Sequence, residues 1–294
     1  MFLGDVVLKV IFSIFALIGI IAAASLRAAD FLTYFNSESG FFSDEGFLSF
    51  VALILILVMT VIGSILMNKK LHSSGEIEVN RNIPLGIISA LSSFGFFYAS
   101  YLMYFENENI VANNLAETTA MGISFRVPLM VLSFLSGVYF IFACISSFVG
   151  KNIFEKLSLL PIIPTIFSIL FTLFVFMHYS ISVLHTENAF LIFSAVLMSF
   201  SFLQYAFTLS KINVNRVKQL IFSSLGFSMI SLSLGISNII KDSFSISAKR
   251  EAPFYVTVML ISAGLYMLSF ILSFEYKANE NEKPKKYKAK RFSK

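Results

Sequence analysis

The stretch Phe47–Met67 carries no charged residue over twenty-one positions, and Asn68, Lys69 and Lys70 follow at once. As an α-helix it would be about 31 Å long at about 1.5 Å per residue, which matches the roughly 30 Å hydrocarbon core of a bilayer. Such a run fixes the solvent in which the chain folds. Lipid offers no hydrogen-bond partners, so any backbone inside it must satisfy itself, as a helix does.

The rest of the sequence repeats this pattern. Uncharged or nearly uncharged runs fall at residues 10–25, 47–67, 83–105, 127–150, 157–177, 189–210, 219–240 and 253–276, separated by short polar links. Only 13% of the 294 residues are charged and 57% are hydrophobic. A soluble domain carries about 25% charge, and half of that cannot cover a soluble globule of this length. The fold class predicted is an all-α polytopic membrane helix bundle of about eight transmembrane helices. It forms one membrane domain over residues 1–276, and a basic cytoplasmic tail over 277–294 has no apolar face to pack.

The first run is preceded by Lys9 and followed by Arg27, and Ala22, Ala23 and Ala24 resemble a signal-peptidase site. A secretory signal needs a basic leader, whereas residues 1–9 hold one Lys and one Asp, so the run is read as helix one. Residues 28–46 are then an acidic loop. Pro84 and Pro128 fall where a first helical turn tolerates them; of Pro161 and Pro164, one is expected in a first turn and the other to bend its helix.

Lysine and arginine set the orientation. With both termini in the cytosol, 17 of the 22 basic residues lie inside and 5 outside, and without the tail the split is still 9 to 5. The expectation is N-in, C-in in a cell membrane, read as a bacterial cytoplasmic membrane. The tail residues Lys283, Lys285, Lys286, Lys288, Lys290 and Arg291 form a cluster suited to anionic lipid headgroups, at about 1 kcal/mol per charge. A tail alone has no element that reads bases, so nucleic acid is not a predicted partner. The bilayer is, and a membrane or cytosolic protein partner is the alternative.

Two motifs recur in order. Ser92-Ser93-Phe94-Gly95-Phe96 is echoed by Ser223-Ser224-Leu225-Gly226-Phe227, and Ser136-Gly137-Val138-Tyr139 by Ala263-Gly264-Leu265-Tyr266. Both pairs lie four helices apart, which points to two parallel four-helix repeats over residues 1–150 and 151–276, competing with chance similarity among Ser- and Gly-rich helices.

Chemistry is sparse. The predicted helix interiors hold no ionisable residue, which argues against carboxylate-coupled transport and intramembrane metalloproteolysis. One cysteine, Cys144, excludes an internal disulfide or a cysteine zinc site. No cofactor is expected, and catalytic residues are not identified. Met177-His178-Tyr179-Ser180 resembles the Met-His-Tyr-Thr signature of the MHYT membrane-sensor family, with Ser180 in place of threonine and one copy where that family has several. His178 and His185 could form a weak metal site, against the plainer reading of two solvated interfacial histidines. Gln204, Tyr98, Tyr101, Tyr139 and Asn238 are the uncharged polar groups suited to line a path for a neutral solute; the plainer role of Gln204 is a bond between helices. The function reading is a permease-like protein for a neutral or lipophilic solute. Its alternative is a non-catalytic membrane subunit or sensor.

Overall fold

The computed structural model describes residues 2–36, 41–42, 46–70, 77–78, 81–112, 125–155, 157–179, 186–210, 217–243, 253–273 and 275–276. Eight α-helices account for nearly all of them: α1 (Phe2–Thr33), α2 (Phe47–Lys70), α3 (Ile83–Ala112), α4 (Arg126–Val149), α5 (Ile162–Tyr179), α6 (Thr186–Leu209), α7 (Val217–Ser243) and α8 (Phe254–Ser273). Two antiparallel pairings, each two residues per strand, link Phe35–Asn36 to Phe41–Phe42 and Ile77–Glu78 to Glu275–Tyr276. The chain is a polytopic helical bundle.

Seven of the eight helices are long and apolar enough to cross a membrane, and α5, with its apolar part at Ile162–Met177, is shorter. Its shortness has a local cause. Residues 157–161 form tight turns, with Leu160 N–H donating to Leu157 O (3.1 Å) and Ile162 N–H to Leu159 O (3.1 Å). Pro161 ends those turns and Pro164 sits third in α5. Both prolines lie where no helical N–H is required, so the predicted bend has no cause there.

Helix α1 departs from expectation in the other direction. It runs on past Ser25 to Thr33, so Arg27, expected just beyond the helix, and Asp30, expected in an acidic loop, both belong to α1. The predicted absence of ionisable residues from the helices is corrected accordingly.

Helix packing defines a closed ring. Going round it, α3 packs on α4, α4 on α5, α5 on α6, α6 on α7, α7 on α8, and α8 back on α3. The pair α1 and α2 lies outside this ring and packs on α7. Helix α7 is therefore surrounded: 89% of its most apolar stretch is buried, against 28% in α2. Its sequence explains the position, since Ser223, Ser224, Gly226, Ser228, Ser231, Ser233, Gly235 and Ser237 leave room for close neighbours on several sides. The buried hydroxyls spend their protons on backbone carbonyls, as with Ser233 to Ile230 O (3.0 Å) and Ser237 to Leu234 O (3.0 Å).

Serines also stitch the ring. Ser93 Oγ donates to Gly137 O (2.8 Å) and Ser133 Oγ to Phe96 O (2.8 Å) between α3 and α4. Ser92 Oγ donates to Ser262 O (2.9 Å) between α3 and α8, and Ser228 Oγ to Gly264 O (2.9 Å) between α7 and α8. At one end of the bundle Asn82 caps α3 by accepting from Leu85 N–H (3.0 Å), and its own N–H reaches Ser147 O (2.9 Å) on α4. Gly150 closes α4 there in the left-handed region (φ 71°), its N–H donating to Ser146 O (2.9 Å).

Candidate functional site

The ring interior is filled by aromatic side chains from five of its helices. Phe96 of α3 lies 5.1 Å from Phe140 of α4 and 5.3 Å from Phe167 of α5, centroid to centroid. Phe140 in turn meets Phe202 of α6 (6.2 Å) and Tyr266 of α8 (4.9 Å). Edge-to-face geometry dominates these pairs, as ring quadrupoles favour.

Three tyrosines form the polar centre of this plug. Tyr139 of α4, Tyr205 of α6 and Tyr266 of α8 come from alternate helices of the ring, and all are buried. The Tyr139 hydroxyl donates to the Tyr205 hydroxyl at 2.6 Å, and the Tyr205 and Tyr266 hydroxyls share a second hydrogen bond. Tyr205 is the hub, since it hydrogen-bonds both of the others, and the Tyr139 and Tyr266 hydroxyls also interact with each other. Phe154, from a short 3₁₀ turn at Ile153–Glu155, packs on Tyr139 (5.1 Å), and Phe270 packs on Tyr205 (4.6 Å). Tyr139 and Tyr266 are the tyrosines of the two recurring Gly-x-Tyr motifs. A phenol in such a place offers a neutral O–H and lone pairs, and nothing charged.

Gln204 precedes Tyr205 and, about 100° further round the helix, looks away from the plug. It is 4% exposed, and its side-chain carbonyl oxygen has no hydrogen-bond partner.

The other proposed path residues are dispersed. Tyr98 is half-buried and stacks on Phe94 (6.3 Å). Tyr101 faces outward, 60% exposed, against Phe105 (4.7 Å). Asn238 donates to Thr257 Oγ1 (3.3 Å) between α7 and α8. Of the five, Tyr139 and Gln204 lie in the bundle interior, on α4 and α6. His178 belongs to the last turn of α5, while His185 and the tail residues Lys283 to Arg291 fall outside the described residues.

A second polar group lies at the opposite end of the bundle from Gly150. Arg27 and Asp30 are fully buried and Lys241 is 5% exposed. Asp30 accepts from the Ser49 N–H (2.9 Å) and hydroxyl (2.5 Å), so a carboxylate of α1 caps the N-terminus of α2. The Arg27 guanidinium lies over Phe190 of α6 (4.3 Å), and the Lys241 ammonium over Phe31 of α1 (4.5 Å). Lys241 sits in the last turn of α7, where the backbone dipole favours positive charge. The cluster thereby ties α1, α2, α6 and α7 together. Its signal was present in the sequence: Arg27, Asp30 and Phe31 fall at i, i+3 and i+4, the spacing of one helical face, with no Gly or Pro before Gly40 to stop the helix.

In comparisons with known families, curated proteins and solved structures, nothing matches this chain.

Proposed function

We propose that this multi-pass membrane protein is permease-like and handles a small neutral solute. The observation that supports this best is the set of buried, uncharged hydrogen-bonding groups in the bundle: the three phenols of the plug and the amide of Gln204. A bundle built merely to pack would fill these sites with apolar side chains at no desolvation cost. The charged residues Arg27, Asp30 and Lys241 gather at one end, engaged with Ser49, Phe190 and Phe31. Groups left to meet a solute are thus neutral, and so is the solute that suits them.

In this reading the tyrosine plug is a closed gate. Tyr139 belongs to the first half of the chain and Tyr205 and Tyr266 to the second, so parting the halves breaks the hydroxyl chain at Tyr139. Both termini face the cytosol, and the basic tail from Lys283 to Arg291 rests on anionic lipid.

Proteoliposomes test the reading. Vesicles carrying the protein should admit at least one member of a panel of neutral solutes faster than empty vesicles. If none enters faster, a non-catalytic subunit or sensor replaces the permease reading, and a stoichiometric partner should then co-purify in detergent.

A further inference from the structure

Two buried side-chain atoms on one helix face have no hydrogen-bond partner: Ser194 Oγ and Gln204 Oε1, both on α6. They belong to the stripe Ser194, Leu197, Ser201, Gln204 and Thr208, whose 3, 4, 3, 4 spacing keeps one face of a helix. Its direction follows from Leu197. A methyl group on Gly226 of α7 would lie 3.4 Å from Leu197 Cδ1 and 3.3 Å from Thr60 Cγ2 of α2. The stripe therefore looks into the seam where α6 meets α7, with α2 alongside.

The neighbouring hydroxyls are differently placed. Ser201 donates to Leu197 O (2.6 Å) and Thr208 to Gln204 O (2.7 Å), and Ser223 across the seam donates to Leu220 O (3.3 Å). Each has spent its proton on its own helix and keeps lone pairs. None of these bonds supplies a donor to Gln204 Oε1. An amide oxygen buried without a donor is costly, by about 1–3 kcal/mol, and a structure retains one where something absent completes it.

We infer that this α6 face receives the O–H or N–H group of a small neutral molecule, with Gln204 Oε1 as acceptor. The inference rests on the permease reading for the molecule's role and deepens it. It places recognition on the α7-facing side of α6, next to the side that carries the tyrosine plug, so that one helix carries both the gate residue Tyr205 and the acceptor. The occupant donates a neutral hydrogen bond in either case, whether it is water or the transported solute.

The test uses the full chain in proteoliposomes, with Q204L and Q204M. Both variants keep the volume and remove the acceptor, and leucine and methionine are at home in such a seam. Reswelling in glycerol and in urea, which carry O–H and N–H donors, follows solute entry; shrinkage in sucrose follows water exit. If solute is the occupant, wild type reswells faster than empty vesicles and both variants reswell about five-fold more slowly, as loss of one ordinary hydrogen bond predicts. Their melting temperatures should be no lower than wild type, because an unsatisfied group has been removed. If water is the occupant, wild type shrinks faster than empty vesicles, both variants lose that advantage, and neither solute enters. That outcome supports the α6 face and overturns the solute permease. Variants matching wild type in both assays overturn the α6 face, and the permease reading stands if wild type reswells. Wild type indistinguishable from empty vesicles in both assays overturns the two together.

Discussion

The Tyr139 hydroxyl donates to the Tyr205 hydroxyl across 2.6 Å, joining α4 to α6 inside a wall of phenylalanines. Tyr205 also holds Tyr266, so its loss removes two hydrogen bonds at once and leaves the Tyr139 and Tyr266 hydroxyls only each other. Y205F should therefore destabilise more than Y139F or Y266F, by about 1 kcal/mol for the further hydrogen bond it removes. The triple phenylalanine variant should recover part of that loss, since no buried hydroxyl then remains to be satisfied. Thermal unfolding of the four purified variants in one detergent gives the order. A triple variant less stable than Y205F would contradict it.

Close approach of α3 and α4 depends on Gly137. A methyl group there would lie 2.8 Å from the Phe97 ring, which also packs on Phe134 (5.2 Å), whereas a methyl group on Gly226 meets its nearest neighbour at 3.3 Å. G137A should cost about 1–3 kcal/mol through overpacking, and F97L should restore much of it. G226A should cost less than G137A. The melting temperatures of G137A, G226A and the G137A/F97L double variant check this.

The bundle was legible because its driving pattern is local. Runs such as Phe47–Met67 announce themselves by length and lack of charge, and α2 and α8 end close to where those runs end. What was not legible depends on partners far apart in sequence. Charge at Arg27 read as lying outside the helix because a lone buried cation in lipid is prohibitive; it becomes affordable only beside the Phe31 and Phe190 rings. Residues 157–161 read as helix because they are apolar, while the two prolines favour turns before α5. Tyr205 carried no sign of being a hub, since its partners come from α4 and α8. Tyr101 looked like Tyr139 in sequence, and only packing separates a surface ring from a central one.

Asp30 caps α2 from α1 through Ser49 and shares its helix face with Arg27. Removing the carboxylate in D30A leaves two buried cations with less compensation, an effect of about 3–5 kcal/mol where a buried ionic group is broken. S49A removes one hydroxyl donor and leaves the backbone N–H, so its cost should be about 1 kcal/mol. Folded yield and melting temperature should fall strongly in D30A and slightly in S49A. Equal losses would mean that the hydroxyl, not the charge, holds α1 to α2.

Orientation is the expectation on which the direction of any solute movement depends. Lys151 follows Gly150 at the end of the bundle shared with Asn82, and Tyr34 follows α1 at the end shared with Asp30 and Ser49. The positive-inside bias puts Lys151 in the cytosol and Tyr34 outside. The native cysteine is half-buried in α4, so the labelling background is first removed by C144A. In intact cells a membrane-impermeant maleimide should then modify Y34C and leave K151C untouched until the membrane is opened. Labelling of K151C alone in sealed cells would invert the bundle. It would put the Arg27–Asp30–Lys241 cluster at the cytosolic face, and the basic tail could then no longer rest on cytosolic anionic lipid.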